Sequence, residues 1–365
     1  METSIKNLQQ QNLHTDTGDR NTNKELIIVS GSSGLIGTGL INRLVEQYRV
    51  VGLDKAGYPF PPIKSECVCV DITSDESMEN AMKRIEYGYG NHIASVIHLA
   101  AYYDFAGKPS PLYDKITVEG TARFLRVLQR FTVDQFIFSS STLVYKPSMP
   151  GQKINEDWPL EPKWDYPKSK VKTEKILHEQ RGDIPVVILR IAGVFSEKGN
   201  SIPITNQIQR IYEKQITSHF YPGNLSHGNI FVHLDDLFDA IVMAVDKRKE
   251  LPMDVTINIG DPETLGYQNL QNIISNAING KDWKTYKIPK ELAKAGAWVQ
   301  GIFGDPFIKP WMVDLADDNA EIDISRAKNL LGWQPKHSLR ETIPKMIAFL
   351  KGDPKAFYKV NKLKK

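Results

Sequence analysis

The chain has 365 residues, 41% of them apolar and 24% charged, and a formal net charge of +3. That length can bury the core of one large domain, or of a domain with an appended lobe, and the composition is that of an ordinary soluble protein. So small a charge, without a compact basic and aromatic patch, argues against a nucleic-acid partner.

Residues 1–23 hold four apolar side chains, Met1, Ile5, Leu8 and Leu13. Without an apolar run they read as a disordered tail rather than a signal peptide. From Lys24 onward, short β-branched runs alternate with helical segments. "ELIIVS" precedes the helix "LIGTGLINRLVEQY", which leads into "RVVGLD". "CVCVDI", "ASVIHLA", "QFIFSS" and "PVVILR" are the next strands. Between them lie the helices "DESMENAMKRIEY", "PLYDKITVEGTARFLRVLQRF" and "PKSKVKTEKILHEQ". Continuous apolar runs indicate strands covered on both faces, as in a parallel sheet. The alternation predicts an α/β fold, a doubly wound parallel-sheet Rossmann domain over residues 24–190. Cys67 and Cys69 share one strand face, where such close neighbours are poorly placed for a disulfide. They read as buried apolar filler in a reducing, cytoplasmic compartment.

From Ile191 the loops lengthen and become richer in Pro, Gly and Asn. "IFVHLDDLFDAIVMAV", "VTINIG" and "SRAKNLLGW" supply further strand and helix. Residues 191–350 should form mainly a smaller α/β substrate lobe, partly interleaved with the sheet. It should lie over the C-terminal strand ends, where ligands bind in open α/β sheets. The apolar stretch Leu292–Val313 is interrupted by Lys294, Asp305, Lys309 and two prolines, so no transmembrane segment is expected. Its aromatics Trp298, Phe303, Phe307 and Trp311 read as internal packing, with a substrate cage as the alternative. Residues 351–365 carry six lysines against one acid, Asp353, and read as a solvated basic tail.

"VSGSSGLIG" joins the first strand to the first helix and contains Gly31, Gly34 and Gly37. Glycine permits a tight turn and close backbone approach to a pyrophosphate, and the helix N-terminus beyond presents free N–H groups. Asp54 ends the second strand 23 residues after Gly31, near the roughly 20 expected between such a turn and a ribose ligand. A carboxylate there accepts from the ribose hydroxyls of NAD and repels the 2′-phosphate of NADP. NAD is therefore the expected cofactor and NADP the less favoured one, with Lys55, which follows immediately, as the feature that leaves NADP open.

"WDYPKSK" places Tyr166 and Lys170 four apart, stacked one turn apart on one helix face. Pro167 suits a first helical turn and biases the residue before it away from the α region. It predicts a helix start with Tyr166 at its lip. A free phenol titrates at about 10, too high for easy proton exchange at neutral pH, and a neighbouring ammonium favours the phenolate. Tyr166 can then serve as base in alcohol oxidation and as acid in ketone reduction. Upstream, "FIFSSSTLVY" ends a strand with Ser139, Ser140 and Ser141, where a hydroxyl can hydrogen-bond a substrate oxygen as its charge changes. His98 reads as structural. His233, Asp235 and Asp236 offer too few ligands for a closed metal site and read as a loop histidine and a helix N-cap, so no metal is expected.

In this order the residues resemble the extended short-chain dehydrogenase/reductase family, of the NAD-dependent epimerase/dehydratase type, from about Lys24 to Phe349. "GSSGLIG" is similar to the family's G-x-x-G-x-x-G turn, "VDITS" to its adenine-side acid and "HLAA" to its cofactor-contacting strand end. "SSSTLVY" and "YPKSK" match its catalytic segments, and "FVHLDDLFDAI" and "AKNLLGWQP" its C-terminal-lobe signatures. The resemblance implies that Gly31, Ser33, Gly34, Leu35, Ile36, Gly37, Asp54, Asp71, Ile72, Leu99, Ala100 and Ala101 contact the cofactor. It also implies Ser141 as the catalytic hydroxyl, Tyr166 as the acid/base, Lys170 as the residue holding the nicotinamide ribose, and a homodimer.

Departures from the family pattern bear on the substrate. Sugar-nucleotide 4,6-dehydratases carry an Asp-Glu pair where Thr142 and Leu143 stand, which argues against water elimination. Asn229 replaces a diphosphate-binding Arg, Gly193 a substrate-binding Asn, and Thr117 an Asn of the active-site hydrogen-bond network. The expected activity is hydride exchange between NAD and a secondary alcohol or ketone of a small molecule. A sugar-nucleotide epimerase retaining its NAD and a hydroxysteroid-like dehydrogenase on an apolar alcohol are alternatives. A non-catalytic NAD-binding sensor or assembly protein is a third.

Overall fold

The computed structural model describes residues 24–55, 64–104, 107–293 and 310–364. Within them the apolar runs become β1 (Leu26–Ser30), β2 (Arg49–Asp54), β3 (Glu66–Cys69), β4 (Ser95–His98), β5 (Phe136–Ser141) and β6 (Val186–Ile191). Two short strands, β7 (Gly193–Phe195) and β8 (Phe231–His233), pair with each other, and β9 (Asp254–Ile259) follows. The longer helices are α1 (Leu35–Leu44), α2 (Asp75–Tyr89), α3 (Glu119–Leu128), α4 (Asp165–Gln180) and α5 (Ile202–Tyr212). After them come α6 (Leu234–Asp246), α7 (Tyr267–Asn279), α8 (Ser325–Leu331), α9 (Leu339–Gly352) and α10 (Pro354–Val360).

Seven strands form one parallel sheet in the order β9-β6-β5-β4-β1-β2-β3. β1, β4 and β6 are buried at every residue, which is why their sequences are apolar without alternation. On one face Leu40, Ile41, Val187, Leu189, Ile241 and Trp333 bind α1, α6 and the end of α8 to the sheet. On the other, Met82, Phe124, Phe136 and Leu177 do the same for α2, α3 and α4. Burying each such side chain stabilises the fold by roughly 1.5–3 kcal/mol before conformational entropy is set against it. The strand order reverses between β1 and β4, opening a crevice at their carboxyl ends.

β9 lies at the sheet edge beside β6, and α6 packs on the sheet beside α1. A separate core, with Phe195, Ile208, Ile274, Met346, Leu350 and Phe357, joins α5, α7, α9 and α10 into a lobe beyond the carboxyl end of β6.

Two expectations are corrected. Cys67 is only partly buried and Cys69 is exposed, because β3 is the sheet's edge and their shared face lies away from the α2 side that buries Val68. Residues 351–364 are not a loose tail. α9 runs to Gly352 and α10 follows, with Phe357 and Tyr358 buried in the lobe core while the lysines stay in water. The lysine count hid two aromatic anchors. The N-terminal tail and most of Leu292–Val313, including Trp298, Phe303 and Phe307, lie outside the described residues, as does the side chain of Trp311. Among the described residues, no helix is long and apolar enough to cross a membrane.

Candidate active site

The crevice is built first by the turn after β1. Gly31 has φ +70°, a left-handed conformation that favours glycine, and its N–H donates to Leu53 O at 2.8 Å. A Cβ on Gly31 would stand 2.9 Å from Ala100 N, and one on Gly37 only 2.3 Å from Gly31 O. The turn, the strand end at Leu99–Ala101 and the first turn of α1 are therefore packed backbone to backbone. Gly34 is the N-cap of α1 and has no side chain to occupy its free N–H groups, while Leu35 and Ile36 lie on the first turn. The hydroxyl of Ser33 is buried and has no hydrogen-bond partner. An orphaned donor in a cradle of bare backbone fits a phosphate oxygen.

Asp54 anchors the turn's outer side. It accepts from Ser33 N at 2.9 Å and Lys55 N at 2.8 Å, leaving lone pairs on both oxygens for ribose hydroxyls. Asp71 takes Thr73 N and Thr73 Oγ1 on one oxygen, at 2.9 and 2.7 Å, and those bonds hold its carboxyl below the usual range. Ile72 packs on Gly120 at the start of α3. Leu99 N donates to Ser30 O and Ala100 N to Ser30 Oγ, so β1 fixes the strand end opposite the turn.

His98 is structural, as expected. Its Nδ1 accepts from Ser30 Oγ at 2.6 Å, and its Nε2–H donates to Thr121 Oγ1 at 2.9 Å, since that hydroxyl itself donates to Thr117 O. Burial first, then the nearby Lys170, holds the imidazole down at about 3. Thr117 lies in a π-helical turn, Tyr113–Val118, leading into α3. Its hydroxyl accepts from Tyr102 N at 3.0 Å, so the residue replacing the expected Asn braces the loop after β4.

The three serines ending β5 separate into three roles. Ser139 Oγ donates to His98 O at 3.1 Å, and Ser140 Oγ donates to the carboxylate of Glu174. Ser141 Oγ accepts from Leu143 N at 3.2 Å and lies close enough to the phenol of Tyr166 to act on it. α4 begins at Asp165, two residues before Pro167, so Tyr166 sits inside the first turn rather than ahead of it. Pro167 is tolerated there because the first four helical N–H groups have no partner within the helix. Tyr103 and Trp164 pack on the Tyr166 ring with centroids 4.9 and 5.5 Å away.

Lys170 lies one turn inside α4 and is 2% exposed. Its Nζ donates to Ser139 O at 2.6 Å and stands 5.6 Å from the centre of the Tyr166 ring. Burial pulls this lysine down to about 7, with Glu174 pulling the other way. Tyr166 moves opposite to the expectation. Burial, then Tyr103, push its phenol above the ordinary 10, opposed by the nearby Ser141 hydroxyl. The ammonium sits over the ring, not at the hydroxyl, and desolvation of the phenolate dominates.

Elsewhere, His233 is itself the N-cap of α6, accepting from Asp235 N at 3.2 Å, while the Asp236 carboxylate holds His337 through N and Nδ1. A side chain on Gly193 would meet the Phe231 ring at 2.8 Å, so that ring fills the space, and Asn229 is exposed. Tyr103, Trp164, Glu174 and Arg190 join the site without having stood out in the sequence. Glu174 could have been found four residues beyond Lys170, and Arg190 as a charge ending an apolar strand.

The site is thus a nucleotide crevice with a Ser, Tyr and Lys set at one strand end, the arrangement of an acid/base enzyme working beside a dinucleotide. Residues 27–260 match the model of the NAD dependent epimerase/dehydratase family, and the chain belongs to that family. It is accordingly an NAD-dependent, hydride-transferring enzyme. A UDP-glucose 4-epimerase of Vibrio cholerae is 26% identical over 341 residues, covering 89% of this chain and 95% of the relative. A decarboxylating sterol-4-alpha-carboxylate 3-dehydrogenase of Saccharomyces cerevisiae is 24% identical over 299 residues, covering 77% of this chain and 81% of the relative. The fold is shared with the crystal structure of UDP-glucuronic acid 4-epimerase from Bacillus cereus in complex with UDP-glucuronic acid and NAD. There the TM-score is 0.68 at 21% identity, covering 90% of this chain and 99% of that one.

Proposed function

We propose that the protein is a dehydrogenase or reductase that exchanges hydride between NAD and a secondary alcohol or ketone of a small molecule. The observation that carries this reading is the meeting of Ser141, Tyr166 and Lys170 at the carboxyl end of β5, beside a turn with an orphaned buried hydroxyl. The turn's backbone and Ser33 would hold the pyrophosphate, Asp54 the adenine ribose and Lys170 the nicotinamide ribose. Bound NAD supplies the hydride acceptor or donor.

Ser141 hydrogen-bonds the substrate oxygen, and Tyr166 exchanges the proton with it. With its phenol pushed up and its ring packed against Tyr103 and Trp164, Tyr166 is a proton donor at neutral pH, which suits ketone reduction. In the oxidising direction the Lys170 ammonium must offset the phenolate that Tyr166 becomes. Tyr166→Phe removes the transferred proton and keeps the ring. It should lower turnover by about 10²–10⁴-fold with NAD binding retained, and unchanged turnover would sink the enzymatic role.

A second reading is a sugar-nucleotide epimerase that keeps its cofactor, supported by the relatives of that name aligned over nine-tenths of the chain. The nicotinamide content of desalted protein separates the two. Near-stoichiometric NAD supports the epimerase, and an empty site that fills on adding NAD supports the dehydrogenase. We also propose a cytoplasmic homodimer, in keeping with two unpaired cysteines; sedimentation equilibrium checks the assembly.

A further inference from the structure

Lys170 faces a surround poor in negative charge. From β5 it meets Ser139 O and the Phe138 ring, from its own helix Tyr166, and from β4 the neutral His98. Among the described residues, the carboxylate acting on it is Glu174, four residues along α4 and 3% exposed. Glu174 accepts three hydrogen bonds from two elements. Ser140 donates to it from β5, and Arg190 on β6 donates from Nε at 3.1 Å and Nη2 at 2.7 Å. Arg190 Nη1 donates in turn to Tyr145 Oη and Glu156 O, both at 2.9 Å. Tyr145 donates to Asn258 Oδ1 on β9 at 2.7 Å.

A buried ion pair is by itself weak evidence of a stabilising device, since well-packed apolar residues often serve as well. What distinguishes this one is where it is attached. Ser140 is the neighbour of Ser141, Glu174 lies one turn from Lys170, and Tyr145 follows Ser141 by four residues. We propose that Glu174 is a positioning residue of the reaction, keeping Lys170 in its charged form and, through Arg190 and Ser140, fixing the catalytic helix against the strand end that bears Ser141. The proposal rests on the NAD-linked reading above and deepens it.

The test follows Lys170 directly, by ¹³C NMR titration of lysine-labelled full-length protein, its signal identified by loss in Lys170→Met. Two variants are compared with wild type. Glu174→Gln removes the charge but strands a buried guanidinium, and Glu174→Met with Arg190→Met replaces the whole pair by apolar side chains. The Lys170 midpoint should fall by about one pH unit or more in whichever variants fold, and NADH affinity at neutral pH should weaken several-fold. A midpoint unmoved in a folded variant overturns the proposal, whatever happens to stability, because a purely structural role would not leave the lysine's titration tied to Glu174. Should wild type bind neither NAD nor NADH, the functional reading fails instead, and the titration still decides this point.

Discussion

Tyr166 and Lys170 were legible as a pair because helical periodicity alone puts residues four apart on one face. Their acid–base states were not, because those depend on what encloses them. Trp164 and Tyr103 pack on the Tyr166 ring, and Ser139 O and the Phe138 ring are what the ammonium meets. Desolvation then outweighs the mutual effect that sequence reasoning relied on. A stability signature follows for Lys170. Between about 7 and the ordinary 10.5, the unfolded chain keeps a proton that the native lysine has shed. Stability should therefore rise with pH across that window as this residue's contribution, and the cost of burying the charge is fully present below about 7. Urea unfolding of wild type against Lys170→Met checks it: the variant should lose that part of the slope, and parallel profiles would contradict the assignment.

Among the elements, the glycine turn was the most readable, since three glycines at that spacing between a strand and a helix are what close backbone approach to a pyrophosphate would require. Gly37 shows what the third glycine does, for a methyl there would run into Gly31 O and Ser32 Cα. Gly37→Ala should weaken NAD binding at least tenfold, about 1.4 kcal/mol, and lower the melting temperature. Gly88→Ala in α2, with nothing within 4 Å of the added methyl, should instead stabilise by roughly 0.5–1 kcal/mol and leave binding alone. Calorimetric titration of both variants separates local crowding from a general glycine effect. The π-helical turn before α3 was not legible, because its apolar spacing is compatible with an ordinary helix. Its geometry is seen in Glu119 N donating to Asp114 O, five residues back, and the hydroxyls of Thr121 and Thr173 both donate to Thr117 O. α9 carried a signal that went unread, Ser338 three residues ahead of Glu341, whose N–H it accepts at 3.2 Å.

The molecule as a whole joins a sheet domain to a lobe whose core uses the last helix of the chain. Phe357 is fully buried there, against a reading of residues 351–365 as solvated. Phe357→Ala should destabilise by about 3–5 kcal/mol, read as a lower denaturant midpoint, whereas a loose tail would leave the midpoint where it was. Alone, the sequence determined the parallel α/β class, the glycine turn with Asp54, and the order Ser141, Tyr166, Lys170, because strand burial, backbone space and helical period are local properties written residue by residue. Only the tertiary structure decided that Cys69 faces water on an edge strand and that Phe231 fills the space beside Gly193. It alone decided that Glu174 and Arg190, sixteen residues apart, meet behind Lys170. Contacts of that kind depend on which elements the sheet order brings together, and that order comes from packing across the whole chain.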